Sequence, residues 1–346
     1  VHVYDCHAPY DPPSPYRERY SDRLYDGEIA YTDSTLGPLF QAFVPSRGGA
    51  TLVTADHGES LGEHGESTHA LFIYDGTMRV PLLLRAKGIP PGTRIEAQVR
   101  TVYITPTLLE LAGLPSEREP DKVDELDGKS LLPYVRGEEK ASRSAYGESF
   151  NSFFNFHWAK LRSVRDGGYK LVDAPRRELY DLETDPREEK NLWTEEPPPV
   201  ARNLLRELER IEASDRGVAG SVEVDPETAR RLESLGYVAS SAPARPDVAD
   251  GAALPDPKDR GEVYERLQGI LSRTDAPPDE VISEYRKVLE LEPENAWARS
   301  HLAHALADEK RYEEAIAEFR ALIRVSVLDA RAYESLGIAL LVLDRV

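Results

Sequence analysis

The sequence predicts an α/β domain with a largely parallel sheet, followed by an all-α region. Strand-like apolar runs such as Thr51–Ala55 and Val80–Leu84 alternate with helical runs over roughly the first third of the chain. This alternation is typical of parallel sheets. Residues 238–258 are then rich in Ala, Pro, Ser and Asp without any period, which predicts a linker. Beyond the linker the pattern becomes helical.

Length, charge and cysteine usage limit the possible functions. The 346 residues suffice for two domains with a sizeable core in the first. Lys and Arg number 43 against 62 Asp and Glu, a formal net charge of −19. This acidic balance argues against a general nucleic-acid surface, so we expect no nucleic-acid partner. The lone Cys6 excludes a disulfide within these residues.

The predicted elements of the α/β part follow one another in a regular order. Tyr20–Val44 is predicted to be helical, because its apolar residues share one helical face. Arg94–Val102 is predicted to form a strand. A further helix is expected to begin at Thr105 as its N-cap and to end at Gly113.

A candidate metal site follows the predicted strand Thr51–Ala55. Asp56 and His57 come directly after it, and Gly58 allows a tight turn. Carboxylate and neutral imidazole are good ligands for a divalent metal. Ligands of open α/β sheets bind at the carboxyl ends of strands. The pattern therefore predicts that Asp56 and His57 hold a metal ion.

Two segments resemble the sulfatase family of the alkaline phosphatase superfamily. The first is Asp56-His57-Gly58-Glu59-Ser60-Leu61-Gly62-Glu63, together with His69 and the later Arg79-Val80-Pro81-Leu82. The second is Arg165–Leu192, which is similar to the small antiparallel sheet region of sulfatases. The resemblance implies an alkaline-phosphatase-like, mostly parallel sheet flanked by helices, with a small C-terminal antiparallel subdomain. We expect this catalytic domain over residues 1–237 and the linker over residues 238–260.

The same resemblance implies roles for four residues. Asp56 and His57 match the metal pair, and the cofactor is expected to be a divalent ion such as calcium, manganese or zinc. His7 lies in a His-x-Pro segment and is expected to bind the oxyanion or protonate the leaving oxygen. His69 is expected to grip the oxyanion or a second metal, whereas His64 is expected to be a solvated loop residue. The family's nucleophile segment would lie upstream of Val1, so we expect this chain alone to be inactive.

Three functions remain open from the sequence. The first is a metal-dependent sulfatase that cleaves sulfuric ester bonds of a small substrate. The second is a phosphodiesterase, a phosphonate hydrolase or a phosphoethanolamine- or phosphoglycerol-type transferase, because those relatives also place Asp-His at the metal pair. The third is a non-catalytic repeat scaffold, against which the joint presence of His7, Asp56, His57 and His69 argues. The resemblance also favours an exported, periplasmic or membrane-associated protein.

The helical region repeats with a period of 34 residues. Leu302 and Leu336 are 34 residues apart, as are Tyr285 and Phe319. This period resembles tetratricopeptide repeats, which we expect over residues 261–346 as one degenerate, one full and one truncated repeat. Stacked helical hairpins present a concave groove, so a protein or peptide partner is expected there.

Overall fold

Two units make up the structure. The computed structural model describes residues 1–4, 6–42, 49–114, 128–214, 254–271, 273, 276–325 and 330–343. The first unit comprises Val1–Gly58 and Met78–Ala145, and the second comprises Glu59–Thr77 and Tyr146–Val346. The predicted site residues are therefore divided: His7, Asp56 and His57 belong to the first unit, and His69 belongs to the second.

The first unit begins with a proline-rich loop and two helices, α1 at Tyr16–Arg19 and α2 at Leu24–Ala42. The helix predicted at Tyr20–Val44 is thus confirmed in a shorter form. The backbone N–H of Asp11 donates a hydrogen bond to Oε1 of the buried Glu28 at 2.7 Å. This bond ties the loop to α2.

Strand pairing in the first unit differs from the prediction. Strand β1 (Ala50–Thr54) pairs with β2 (Leu82–Ala86) in the antiparallel sense, with Thr54 opposite Leu82. The chain between them leaves and re-enters the pair at the same end. It therefore needs no crossover along the sheet, which a parallel neighbour would require. The strand boundaries agree with the expectation to within two residues.

The strand predicted at Arg94–Val102 is wrong, because its described backbone is irregular up to a 3-10 turn at Thr101–Tyr103. After the single-turn helix α3 at Asp75–Met78, the next helix of the chain is α4 at Ile104–Leu111. Thr105 is its second residue and not its N-cap, since the turn runs directly into the helix. Gly113 follows the helix with a φ of 69°, the left-handed conformation that glycine adopts most readily after a helix.

A small core lies beside these turns in the first unit. Tyr103 is fully buried and clusters with Leu131 and with Tyr134 of helix α5 (Leu132–Val135). This cluster packs the partly buried Leu82 of β2 against the same side chains. This packing holds β2 and its partner β1 in place, the strands that flank the candidate site in the sequence.

The second unit contains a four-stranded sheet that follows chain order. The strands β4, β5 and β6 pair in the antiparallel sense, as the resemblance to sulfatases implied. Gly167 and Gly168 form the β4–β5 turn with φ values of 56° and 81°. Two-residue hairpin turns of this kind need positive φ at both positions. The sheet and its short helix comprise β3 (Ala145–Ser149), α6 (Asn151–Phe156), β4 (Leu161–Asp166), β5 (Tyr169–Asp173) and β6 (Glu178–Asp181).

Helix α7 (Pro199–Ala213) covers one face of this sheet. Its apolar residues Leu204 and Leu208 are buried against Val164 and Leu171. Leucines at i and i+4 lie on one side of a helix, so a single stripe faces the sheet. Residues 215–237 of the predicted catalytic domain lie outside the described residues.

The described residues of the C-terminal part form helices joined by short connections, as predicted. A 3-10 turn at Pro257–Asp259 leads into the first helix. Most of the predicted linker, residues 238–253, lies outside the described residues. No described helix is long and apolar enough to cross a lipid bilayer. The helices are α8 (Gly261–Leu271), α9 (Pro278–Leu291), α10 (Ala296–Asp308), α11 (Tyr312–Val325) and α12 (Ala330–Val342).

One hydrophobic core joins these helices to the rest of the second unit. Leu71 and Phe72, which follow His69, share a buried cluster with Trp158 and with Tyr264 and Leu267 of α8. Burying such side chains contributes roughly 1.5–3 kcal/mol each. The described C-terminal helices therefore pack on the segment that carries His69.

Candidate active site

Asp56 and His57 form a ligand pair just after β1. The backbone N–H of His57 donates to Oδ1 of Asp56 at 3.1 Å, and Nε2 of His57 lies 3.8 Å from the same oxygen. Nδ1 of His57 lies 2.8 Å from the carbonyl oxygen of Gly58. The tautomer with its proton on Nδ1 donates to this carbonyl and carries its lone pair on Nε2, which faces Asp56.

The chemistry of these two donors fits part of a divalent metal site. Ligand atoms about 2.1 Å from one ion can lie 3.8 Å apart, and Asp56 and His57 offer an oxygen and a nitrogen at that separation. Their side chains are 63% and 38% exposed, so an ion can reach them. Within the described residues no group of three or more His, Cys, Asp or Glu converges on one point. Asp56 and His57 would thus supply two ligands of a larger set.

His7 sits in the same unit, in the loop before α1. Its Nδ1 lies 2.7 Å from the carbonyl oxygen of Ala8, and its ring stacks on Tyr4 with 4.8 Å between ring centroids. Cys6, directly before it, has a φ of 72°. These contacts fix the half-buried ring and favour a lone pair on Nε2.

His69 belongs to the second unit and is paired with Glu59. Nδ1 of His69 lies 3.2 Å from Oε1 of Glu59, whose side chain is only 3% exposed. A carboxylate on Nδ1 fixes the tautomer and the orientation of the ring. Sequence reasoning missed Glu59, because two residues ten apart in an irregular loop share no periodic signal.

A second buried carboxylate holds the backbone beyond His69. Glu66 accepts hydrogen bonds from the backbone N–H groups of Leu71 at 2.7 Å and Phe72 at 3.2 Å. Burial raises the pKa of Glu66 to about 7, and these two hydrogen bonds lower it by less. Ala70, between His69 and this anchor, has a φ of 90°. The segment therefore turns sharply just after the candidate catalytic histidine.

His64 has a structural role rather than a catalytic one. Its ring stacks on Tyr74 with 3.6 Å between centroids, and Nε2 lies 3.0 Å from the carbonyl oxygen of Arg187. The residue is exposed, in line with the expectation, but it also docks this loop on the chain after β6.

Asp75 anchors the other end of the same segment through a buried charge network. Arg165 lies 2.7 Å and Lys170 3.2 Å from its two carboxylate oxygens. Nζ of Lys170 also lies 2.7 Å from Oε1 of Glu188 as an ion pair without hydrogen-bond geometry. The backbone N–H of Asp75 donates to the other oxygen of Glu188 at 2.5 Å. Buried charges are retained only when paired, so this network fixes Asp75 to the antiparallel sheet.

Comparison with known proteins assigns the chain to a family. Residues 1–114 match the Sulfatase family, and residues 62–214 match the N-sulphoglucosamine sulphohydrolase C-terminal family. Residues 1–214 of the chain belong to the sulfatase family. Its sulfatase part is the C-terminal portion of the catalytic domain, and this confirms the predicted α/β fold class. Members of the family use a divalent metal ion. Residues 278–336 match the tetratricopeptide repeat family, which confirms the repeats.

Individual relatives of this sulfatase-family chain are moderately similar. A choline-sulfatase from Rhizobium meliloti is 31% identical over 201 residues, which is 57% of this chain and 38% of that protein. A Delta 4,5-hexuronate-2-O-sulfatase from Bacteroides thetaiotaomicron is 28% identical over 230 residues, covering 62% and 45%. The crystal structure of a phosphonate monoester hydrolase from Agrobacterium radiobacter is 28% identical, covers 56% and 40%, and has a TM-score of 0.44, too distant to assign an activity. The chain spans less than half of the length of both curated relatives.

Proposed function

We propose that the protein is a metal-dependent hydrolase of sulfate esters. The observation that carries the proposal is the Asp56–His57 pair, an oxygen and a nitrogen donor 3.8 Å apart at the end of β1. It is supported by sulfatase-family membership over residues 1–214. The substrate class is a small sulfate ester, since both relatives described above are named for sulfate-ester substrates.

Asp56 and His57 would hold the divalent ion, whose identity among calcium, manganese and zinc stays open. When bound, such an ion supplies positive charge that stabilises the oxyanion of the ester. The carboxylate of Asp56 offsets part of the ion's charge. The Nδ1 contact of His57 with Gly58 orients its ring toward Asp56, so the pair needs little reorganisation on binding.

His7 and His69 are proposed to handle protons and the oxyanion. The Nδ1 contacts of His7 with Ala8 and of His69 with Glu59 support a role for the other ring nitrogen, Nε2, in each residue. As an imidazolium, Nε2 of His69 donates a hydrogen bond to an ester oxygen while Glu59 balances its charge. His7 gives a proton to the leaving oxygen. Imidazole suits both roles because its pKa lies near neutrality.

A phosphoester activity is the second candidate function. The observation that favours it is the histidine at position 57, because Asp-His resembles phosphonate hydrolases and phospho-transferases more than the Asp-Asn of most sulfatases. The spacing of His69 from Asp56 also resembles that of the phospho-transferases and favours the same function. Both activities need the same metal pair, so substrate preference decides between them.

The test compares two substrates and two variants in the full-length protein. We expect turnover of an aryl sulfate that exceeds turnover of an aryl phosphodiester, is lost with chelator and returns with added divalent metal. Asp56→Asn should lower kcat/KM by at least about 100-fold. Asp22→Asn, an exposed carboxylate of the same unit, should not.

Three outcomes would contradict the proposal. Faster turnover of the phosphodiester would select the second candidate. Turnover that survives chelation would remove the metal from the mechanism. No turnover of either ester, with metal bound, would indicate a repeat scaffold.

The repeats and the compartment belong to the same proposal. The tetratricopeptide match at residues 278–336 supports a protein or peptide partner. An extracellular sulfatase homologue from Drosophila melanogaster, 32% identical over 99 residues, supports export. Cross-linking with photoreactive side chains on α9–α11 tests the first point, and fractionation of the native host tests the second.

A further inference from the structure

Helix α8 contacts the backbone of His69 directly. The hydroxyl of Tyr264 donates a hydrogen bond to the carbonyl oxygen of His69 at 2.8 Å. The Tyr264 side chain is fully buried, and burial raises the pKa of its hydroxyl, so the hydroxyl stays a proton donor. The two residues are 195 positions apart in the chain.

The next residue of α8 holds the other side of the same turn. Glu265 accepts one hydrogen bond from the backbone N–H of Ser67 at 2.9 Å and another from its hydroxyl at 2.5 Å. Between these points, the carbonyl oxygen of Thr68 accepts a bond from the backbone N–H of Ser60 at 2.7 Å. Three consecutive residues, 67 to 69, are thus fixed by partners outside their own turn.

Apolar packing holds the ring of Tyr264, which makes the first of these bonds. Tyr264 shares a core cluster with Leu71 and Phe72, and its ring meets Phe156 edge-on with 6.0 Å between centroids. The hydrogen bond from Tyr264 to His69 is partly buried beside this packing and is therefore stronger than an exposed one, whereas the two bonds between Glu265 and Ser67 are exposed. The imidazole of His69 is held by Glu59, and its backbone is held by α8.

We propose that Tyr264 and Glu265 are positioning residues for His69. They lie beyond the sulfatase-family residues 1–214 and before the repeat match at 278–336, so helix α8 would link the C-terminal helical part to the positioning of His69. The catalytic consequence rests on the proposed function of His69. The structural consequence, that α8 orders residues 66–72, does not rest on the proposed function.

The experiment uses Tyr264→Phe and Glu265→Gln in the full-length protein, with two matched controls. Tyr264→Phe keeps the buried ring and removes only the hydroxyl. Tyr285→Phe removes a hydroxyl from another buried tyrosine of the helical part. Glu262→Gln neutralises an exposed carboxylate of α8 that pairs with Arg266. Ser67→Ala removes one hydrogen bond of Glu265 from the loop side and leaves α8 intact.

Two readouts separate positioning from general stability. Amide hydrogen exchange of residues 66–72 should quicken by roughly 2- to 13-fold in both test variants, the factor that one lost hydrogen bond allows. Ester turnover should show a lower kcat by a similar factor with KM changed by less than about 2-fold. Ser67→Ala should reproduce both effects of Glu265→Gln, and the two controls should show neither.

The outcomes distinguish this inference from the proposed function. Unchanged exchange of residues 66–72 in both test variants overturns it, whatever the activity. Faster exchange with unchanged kcat overturns the positioning role. If the wild-type protein turns over no ester, the proposed function fails, and exchange alone then decides whether α8 orders the segment. If Glu265→Gln or Tyr264→Phe does not fold, the Ser67→Ala result supports or overturns the inference by the same criteria.

Discussion

Acidification should destabilise the helical region through His301. This residue lies on α10, where its ring contacts Trp297 with 3.9 Å between centroids and stacks on Tyr285 at 5.8 Å. Burial, with the charge of His304 as a smaller cause, lowers the pKa of His301 from 6.5 to about 4. Its neutral form is therefore the form that the fold accepts.

The sign of the effect follows from proton binding. The unfolded chain protonates His301 near pH 6.5, before the folded chain does, so its neutral form stabilises the fold above that pH. This stabilisation is lost as the pH falls from 6.5 toward 4. The difference of about 2.5 pKa units corresponds to about 3 kcal/mol at most.

Two measurements check this prediction. A carbon–proton NMR titration of the His301 ring should give a pKa near 4. Urea unfolding of the wild type and of His301→Gln should give free energies whose difference shifts by about 3 kcal/mol from pH 7.5 to 4. His2→Gln, an exposed histidine of the first unit, serves as the control. A His301 pKa above 6, or a difference that stays constant with pH, would refute the reasoning.

Three further predictions concern buried charges of the second unit. Lys170→Ala should lower the free energy of unfolding by about 3 kcal/mol because it removes the ion-pair partner of the buried Glu188 and leaves Asp75 paired with Arg165 alone. The exposed Arg177→Ala should cost less than about 1 kcal/mol in the same urea assay. The pKa of Glu66 is raised to about 7, so its protonated form stabilises the fold below pH 4.5, and this stabilisation is lost as the pH rises through 7. Relative to wild type, the free energy of unfolding of Glu66→Gln, measured with urea, should therefore increase by about 3 kcal/mol between pH 4.5 and 8. Glu59→Gln should lower kcat/KM of the full-length protein roughly 10- to 100-fold, since it removes the charge that orients His69, and an unchanged kcat/KM would contradict that role.

The sequence located much of the candidate site because the relevant signals are local. Asp56 and His57 are neighbours that follow an apolar strand, so their proximity needs no tertiary information. The turn at Gly167 and Gly168 is equally local, since its positive φ values belong to glycine itself. The repeats could be predicted because a period of 34 residues can be recognised in a single sequence.

Only the tertiary structure decided which distant groups support His69. Glu59 lies in the same irregular loop, and Tyr264 is 195 residues away, so neither contact leaves a period or a spacing in the sequence. The antiparallel pairing of β1 with β2 is likewise a matter of where the chain re-enters the sheet, and apolar strand composition is the same for either direction. Backbone conformation and ligand chemistry can be predicted from adjacent residues because both are local properties. Contacts between residues that are distant in the sequence depend on how separate helices, strands and loops pack.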